Sequence, residues 1–412
     1  TSEFQGILSL AANADIDVAA GGDLTVAAEF GDEGNGFGIT KLGAGSLGLA
    51  YVDIAGFSDS PDSMRLSYSG TTTISEGTLR NDVDGMFYAA TDDGQVIANN
   101  ANIVISSGAI WDLNGNDQTV GSISGQGNIS LGSATLTLGG DGANVFAGVI
   151  SGSGGLSKSG SGDLTLEGVN TYSGDTLVSA GSLKIIGAGL LGDGNYLGAL
   201  NLADGLEYAS TADQILAGSI SSSGGVNKTT STSSTLTLAG DNTYTGATNI
   251  NAGVLVVSND APVQSTSGYY GAGSLRVEPT SDSFSSAFSN SGWNFAATLG
   301  SLTLGKLGNT ADISIDDAVN SAGPITVIGG DISVNANLTA GADSNIALAA
   351  SNSFINNVGA SVLNVSGTGH WYVYAAKGGQ TANTYNGLDS LNQAVRGESF
   401  ATLAPENVGD SY

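Results

Sequence analysis

The residues best suited to chemistry in this chain are acidic. Asp92-Asp93 and Asp316-Asp317 each place two carboxylates side by side. Paired carboxylates are what glycoside hydrolysis uses, and an inverting enzyme holds them ~6.5–9.5 Å apart across a groove. Neighbours on a strand point to opposite faces, so neither doublet is a dyad by sequence alone. Both also sit among turn formers, where Asp is favoured for its local hydrogen bonds. His370 is the single histidine; beside Trp371, Tyr372 and Tyr374 it is placed to pack on rings. Chemistry driven by lysine or arginine would need basic groups in a groove, and the chain has only 10. These features predict no catalytic residues, no cofactor-binding residues and a protein that is not an enzyme.

Two other kinds of ligand chemistry remain. Asn81-Asp82-Val83-Asp84-Gly85 and Asp92-Asp93-Gly94 could supply oxygen ligands to calcium, although Asp and Asn populate turns for backbone reasons too. The nonapeptide glycine-aspartate calcium repeat is absent, and no metal-ligand set is defined. Tyr269-Tyr270, Trp293 with Phe295, and Trp371 with Tyr372 and Tyr374 could stack on sugars or anchor a partner. Packing in an irregular turn, or capping an end, is the competing role.

The elements that must carry these residues are β-strands. Among 412 residues there are 64 Gly and 5 Pro, with 40% hydrophobic, which suits many tight turns between short apolar strands and not disorder. No apolar stripe of helical period runs beyond two turns. A chain this long exceeds one ordinary core but suits a solenoid, whose length is not so limited. Acids outnumber bases 38 to 10, for a formal net charge of −28; nucleic acid and anionic membranes are therefore poor partners. With 0 Cys there are no disulfides. No run of 18 apolar residues is present to span a membrane as a helix. The start, Thr1-Ser2-Glu3-Phe4, is not a signal peptide, so any export signal is expected to have been removed or to lie elsewhere.

Internal repeats organise the chain. Gly155-Leu156-Ser157-Lys158, Leu164-Thr165-Leu166, Asn170-Thr171-Tyr172-Ser173-Gly174 and Gly181-Ser182-Leu183 recur as Gly225-Val226-Asn227-Lys228, Leu236-Thr237-Leu238, Asn242-Thr243-Tyr244-Thr245-Gly246 and Gly253-Val254-Leu255. The offset is 72 residues from the Leu-Thr-Leu strand onward (236 − 164, 244 − 172, 253 − 181) and 70 at the lysine (228 − 158). Two extra residues thus lie between lysine and strand, leaving the inward and outward alternation intact. A looser copy has Lys41, Leu47-Gly48-Leu49, Tyr68-Ser69-Gly70 and Gly77-Thr78-Leu79. Its extra stretch, with Asp53, Asp59, Pro61 and Asp62, reads as a loop thrown out over about 50–67, where such scaffolds place function. Period-two alternation at Leu136-Thr137-Leu138, Leu183-Lys184-Ile185, Val254-Leu255-Val256 and Ile332-Ser333-Val334 predicts half-buried strands. A rung of about 20–25 residues divides 72 into three, so the expected fold is all-β, a right-handed parallel β-helix (solenoid).

The run from Gly154 to Leu166 with Asn170-Thr171-Tyr172-Ser173-Gly174, preceded by Gln118-Thr119-Val120-Gly121-Ser122-Ile123-Ser124-Gly125, resembles the passenger-associated transport repeat of bacterial autotransporters. Residues 296–390, with Gly300-Ser301-Leu302-Thr303-Leu304-Gly305-Lys306, Gly323-Pro324-Ile325-Thr326-Val327-Ile328 and His370-Trp371-Tyr372-Val373-Tyr374, resemble the filamentous-haemagglutinin-like region of large exoproteins. Gly367-Thr368-Gly369-His370 resembles the glycine-histidine element of β-helical pectinases, whose Asn-Thr-Asp and Arg-x-Lys companions are missing. The first two resemblances imply type V secretion and work outside the bacterial cell, at its outer surface. Three segments are expected: a β-helix with autotransporter repeats over 1–258, an irregular excursion or joint over 259–298, and a haemagglutinin-like continuation with C-terminal tail over 299–412. The implied function is a rod-like structural and adhesive passenger that meets a host, cell-surface or glycan receptor or other copies of itself. The alternative is a filament or sheath subunit joined end to end through β-helix edges; a glycan-active hydrolase or lyase ranks below both.

Overall fold

The structure, a computed structural model, describes residues 2–32, 35–51, 68, 70–83, 97–221, 223–229, 234–262, 267–375 and 383–388. Three to five alternating residues followed by Gly, Asn or Asp leave room for little but a short strand, and short strands are what form. Every registered strand pair is parallel, as between Leu136–Leu138 and Leu156–Lys158 or between Ser301–Leu304 and Ile325–Gly329. The one helical segment among the described residues is the 3-10 turn Gly192–Gly194. The chain is a parallel β-solenoid. Along one wall the partners Gln118, Leu136, Leu156, Thr176, Leu200 and Ile220 follow at steps of 18, 20, 20, 24 and 20 residues.

Two compact units result, Thr1–Gln214 with Ile220–Ser223, and Ile215–Ser219 with Gly224–Tyr412. The first has three walls: Ser2–Ser9 through Ile150–Ser151, Gln118–Val120 through Ile220–Ser221, and Ala14–Asp17 through Gly205–Ser210. In the second, Thr235–Leu238 leads a wall that continues through Ser274–Glu278 and ends at Trp371–Ala375. A four-stranded sheet, Phe288–Ser289 to Phe354–Asn356, and a three-stranded one, Val319–Ser321 to Leu363–Ser366, complete its turns. Residues 259–298 therefore contribute strands at Tyr269–Tyr270, Ser274–Glu278 and Phe288–Ser289.

Parallel pairing in register stacks like on like. Leu164, Leu183 and Leu206 form one interior column, and all three are buried. Neighbouring strands lie ~4.8 Å apart, so such columns touch without gaps, and each buried leucine contributes about 1.5–3 kcal/mol. Corners are held by carboxylates. Asp141, Asp163 and Asp175 accept from the backbone N–H of Ser161, Ser182 and Ala199, at 3.0, 2.9 and 2.8 Å. Asp260, Asp312 and Asp343 do the same for Ser281, Asp331 and Thr368. Each reaches from one turn to the next.

Candidate functional site

Within each repeat the two strand types pair with their own kind one turn later. Leu156–Lys158 pairs with Thr176–Val178, and Leu164–Leu166 with Leu183–Gly187. Gly225–Lys228 pairs with Thr248–Ile250, and Thr235–Leu238 with Val254–Ser258. In the early copy Ile39–Leu42 pairs with Thr72–Ile74, and Ser46–Tyr51 with Thr78–Val83. A repeat is thus a corner and the corner stacked upon it, spanning two consecutive turns.

Polar groups brace this corner from inside. The repeat tyrosine is buried in all three copies, and each hydroxyl bonds a threonine four residues on: Tyr68 to Thr72 at 2.6 Å, Tyr172 to Thr176 and Tyr244 to Thr248 at 2.7 Å. Burial pushes the phenols of Tyr68 and Tyr172 up to about 12, so they stay neutral donors across the ordinary pH range. In the middle copy Tyr196 joins, its hydroxyl 2.7 Å from Thr176 Oγ1 and its ring edge-on to Tyr172 with centroids 5.5 Å apart. Asn170 spans three turns: it accepts from Ile150 N at 3.0 Å and donates to Gly168 O and Leu190 O at 2.9 and 3.1 Å. Buried polar atoms need such partners, and no buried side-chain nitrogen or oxygen among the described residues lacks one. The partner threonines were missed in the sequence, although the fixed Tyr-x-x-x-Thr spacing in three copies was there to find them.

The repeat lysines Lys41, Lys158 and Lys228 are fully buried. Lys158 stands in an interior column between Leu138 and Val178, and Lys41 between Ile16 and Ile74. Lys41 Nζ donates to the carbonyls of Leu42, Gly43 and Glu76 at 2.8, 2.6 and 3.1 Å. Lys158 Nζ donates to Gly160 O and, at 3.3 Å, to Gly140 O one turn away. Lys228 meets Ser234 Oγ at 2.8 Å.

An open cavity of the second unit lies against the last repeat. About 280 Å³ in volume, it is lined by the apolar Leu238, Val257, Ala261 and Pro262, the rings of Tyr244 and Tyr269, and the polar Asp241, Asn242, Thr243 and Asn259. Asn259 Nδ2 donates to Asp241 Oδ1 at 3.0 Å. Behind it the predicted aromatic residues converge. Tyr269 stacks on Trp293 with centroids 5.9 Å apart, and Trp293 meets Phe288 and Phe295 at 5.4 and 5.6 Å. Tyr269, Phe288 and Trp293 are buried, which makes this cluster packing, while Tyr270 keeps part of its ring in solvent, its hydroxyl accepting from Asn294 Nδ2 at 3.1 Å.

The remaining sequence candidates fall as follows. Asp316 accepts from Ser289, Ser314 and Asn335 at 2.5, 2.7 and 2.6 Å, which together hold its carboxyl below the usual range. Asp317 accepts from Gly292 N at 2.7 Å. The doublet thus ties neighbouring turns. His370 is exposed, 6.3 Å from the ring of Tyr372, which is 6.5 Å from Tyr374. Asn81 is buried and accepts from Trp111 Nε1 at 3.1 Å, and Asp82 pairs with Arg80 at 2.5 Å. Among the described residues no group of three or more acidic or histidine side chains is placed to hold a metal. Asp92-Asp93, Asp84-Gly85 and the 52–67 stretch lie outside the described residues. No helix among those described is long and apolar enough to cross a membrane.

The passenger-associated-transport-repeat family matches residues 63–80, 156–185 and 233–257, which hold the Tyr68–Thr72, Tyr172–Thr176 and Tyr244–Thr248 bonds. A Brucella suis biovar 1 (strain 1330) protein named adhesin BmaC autotransporter is 38% identical over 125 residues, 29% of this chain and 3% of its own length. The uncharacterized lipoprotein YdeK of Escherichia coli (strain K12) is 30% identical over 382 residues, 89% of this chain and 25% of its own. The chain therefore spans a quarter or less of these relatives. No solved structure matches it. What the chain shares with autotransporter passengers is this: passenger-associated-transport repeats at three places along a parallel β-solenoid, each holding a buried tyrosine bonded to a threonine four residues on.

Proposed function

We propose that the chain is a non-enzymatic adhesive passenger working at the outer surface of a bacterium, its solenoid presenting a binding face to a host-cell, neighbouring-cell or glycan receptor. The observation that carries this reading is the coincidence of the passenger-associated repeats with the internally braced corners. That braced scaffold joins a local likeness to a protein named an adhesin. The segment plan belongs to the same proposal: 1–258 with the 50–67 loop, a joint over 259–298, and a haemagglutinin-like continuation over 299–412. Paired strands at Ser301–Leu304, Ile325–Gly329 and Ile332–Val334 support that continuation.

The test is display of the chain on a non-adherent bacterium, scored for attachment to epithelial cells, to a glycan array and to sister cells. Several-fold gain of attachment, competed by soluble chain, is the expected result. No gain on any surface would overturn the reading, and regular end-to-end fibres of purified chain would replace it with the filament subunit.

A further inference from the structure

Ten basic residues serve 412, and three of those ten are shut inside the protein at equivalent places in the repeats. A charge is costly to bury unless it is fully hydrogen-bonded, so the lysine corner must give something back. Three carbonyl oxygens surround Lys41 Nζ within 3.1 Å. An ammonium has three N–H donors and a neutral amine only two, so the geometry demands the charged form. Those acceptors belong to more than one turn: Leu42 ends the lysine strand and Gly43 follows it, while Glu76 lies one turn on. At Lys158 the pairing is again between turns, Gly160 with Gly140. Here glycine is required, because a Cβ on Gly160 would stand 2.0 Å from Gly140 O. The close approach of the two backbones aims both carbonyls at one point, which is how an oxygen-lined cation site is made.

We propose that the lysine corner of the transport repeat is a cation site occupied by the chain's own ammonium, a staple that closes two stacked turns without an external ion. Burial lowers the pKa of Lys41 and Lys158, and nearby acids, Asp17 and Glu76 for the first and Asp141 and Asp163 for the second, raise it again. The site takes ammonium-type monovalent cations. Lys228 is buried at the equivalent place in its repeat and donates to Ser234 Oγ.

Removing the ammonium leaves its carbonyls without their charge-assisted donor, and for Lys158→Ala the thermal midpoint should fall by about 4–8 °C. Ammonium or methylammonium chloride should recover much of that loss in Lys158→Ala, where sodium chloride at equal ionic strength should not. Lys158→Met keeps the apolar stem and should fall similarly without rescue. A Met variant as stable as the parent, or an Ala variant that ammonium salts leave unmoved, overturns the staple. Should both variants fail to fold, the unaltered protein still decides, by acetylation with an N-hydroxysuccinimide ester and peptide mass spectrometry. Lys41, Lys158 and Lys228 should react on the order of 100-fold more slowly than Lys184 and Lys306, and equal reactivity overturns the proposal.

Discussion

Thr176 carries more than its size suggests. Its hydroxyl lies 2.7 Å from both Tyr172 and Tyr196; Tyr196 also donates to Gly174 O, so Thr176 is the critical partner of Tyr172. Thr176→Val keeps the shape and removes the partner, and orphaned buried hydroxyls cost about 1–3 kcal/mol each. The variant should lose about that much by urea denaturation. Tyr172→Phe in the Val background should restore much of it, because the phenol that lost its threonine partner is then gone, while Tyr196 keeps Gly174 O. If Thr176→Val is neutral, the buried phenols do not depend on this contact. The same reasoning separates Asn81 from the calcium role that its Asp-rich neighbourhood suggests: its amide oxygen is committed to Trp111 and its amide nitrogen to Gln118 at 3.2 Å. A side chain's surroundings, not its type, decided that assignment.

At the scale of the element, the corners carry the pH dependence. Asp163, half-exposed, is held below the ordinary carboxylate range by its bond to Lys184, then by Ser182 N–H. Asp316 and Asp343 are held low by the hydroxyls and amides that donate to them. A carboxylate whose pKa is depressed on folding adds stability above its unfolded value near ~3.9 and loses it as the pH falls through the lower folded value. The thermal midpoint should therefore be flat from pH 7 to about 5 and drop steeply below about 4; a curve level down to pH 2 would mean these caps contribute nothing. Steric limits act at the same corners. A Cβ on Gly148 would lie 1.6 Å from Gly127 O, so Gly148→Ala should force two turns apart and speed amide exchange in Asn144–Phe146 and Leu164–Leu166.

Over the whole molecule, the charge of −28 is not spread as free surface acid. Many aspartates are corner caps, three lysines are interior, and Arg80, Lys184 and Arg276 are already paired with acids. With few bases left at the surface, the net charge of −28 opposes edge-to-edge pairing and makes basic surfaces the favoured encounter. Adsorption to a cationic resin or a polylysine film should be tight at low salt and weaken steeply as screening shortens the Debye length from ~30 Å at 0.01 M to ~3 Å at 1 M. Retention unmoved by salt would point to apolar contact instead.

The sequence alone was enough for the all-β solenoid and the two strong repeats, because a stacked parallel fold needs only alternation within a strand and recurrence between turns. Both are local or periodic, and both are visible in Leu164-Thr165-Leu166 and its copy. The expected division of 72 residues into three turns fails, since Leu164–Leu166 stands in the twelve-stranded sheet and its copy Thr235–Leu238 in the nine-stranded one, so the repeat is not a whole number of turns. The interior position of Lys158, the sharing of Thr176 by two tyrosines and the cavity beside Asp241 were decided by tertiary structure. Each depends on which residues from turns about 20 positions apart come to one corner, and on where the closest approach of two glycine backbones points its carbonyls. A lysine in a strand reads as a solvated charge until the turn above it supplies the oxygens.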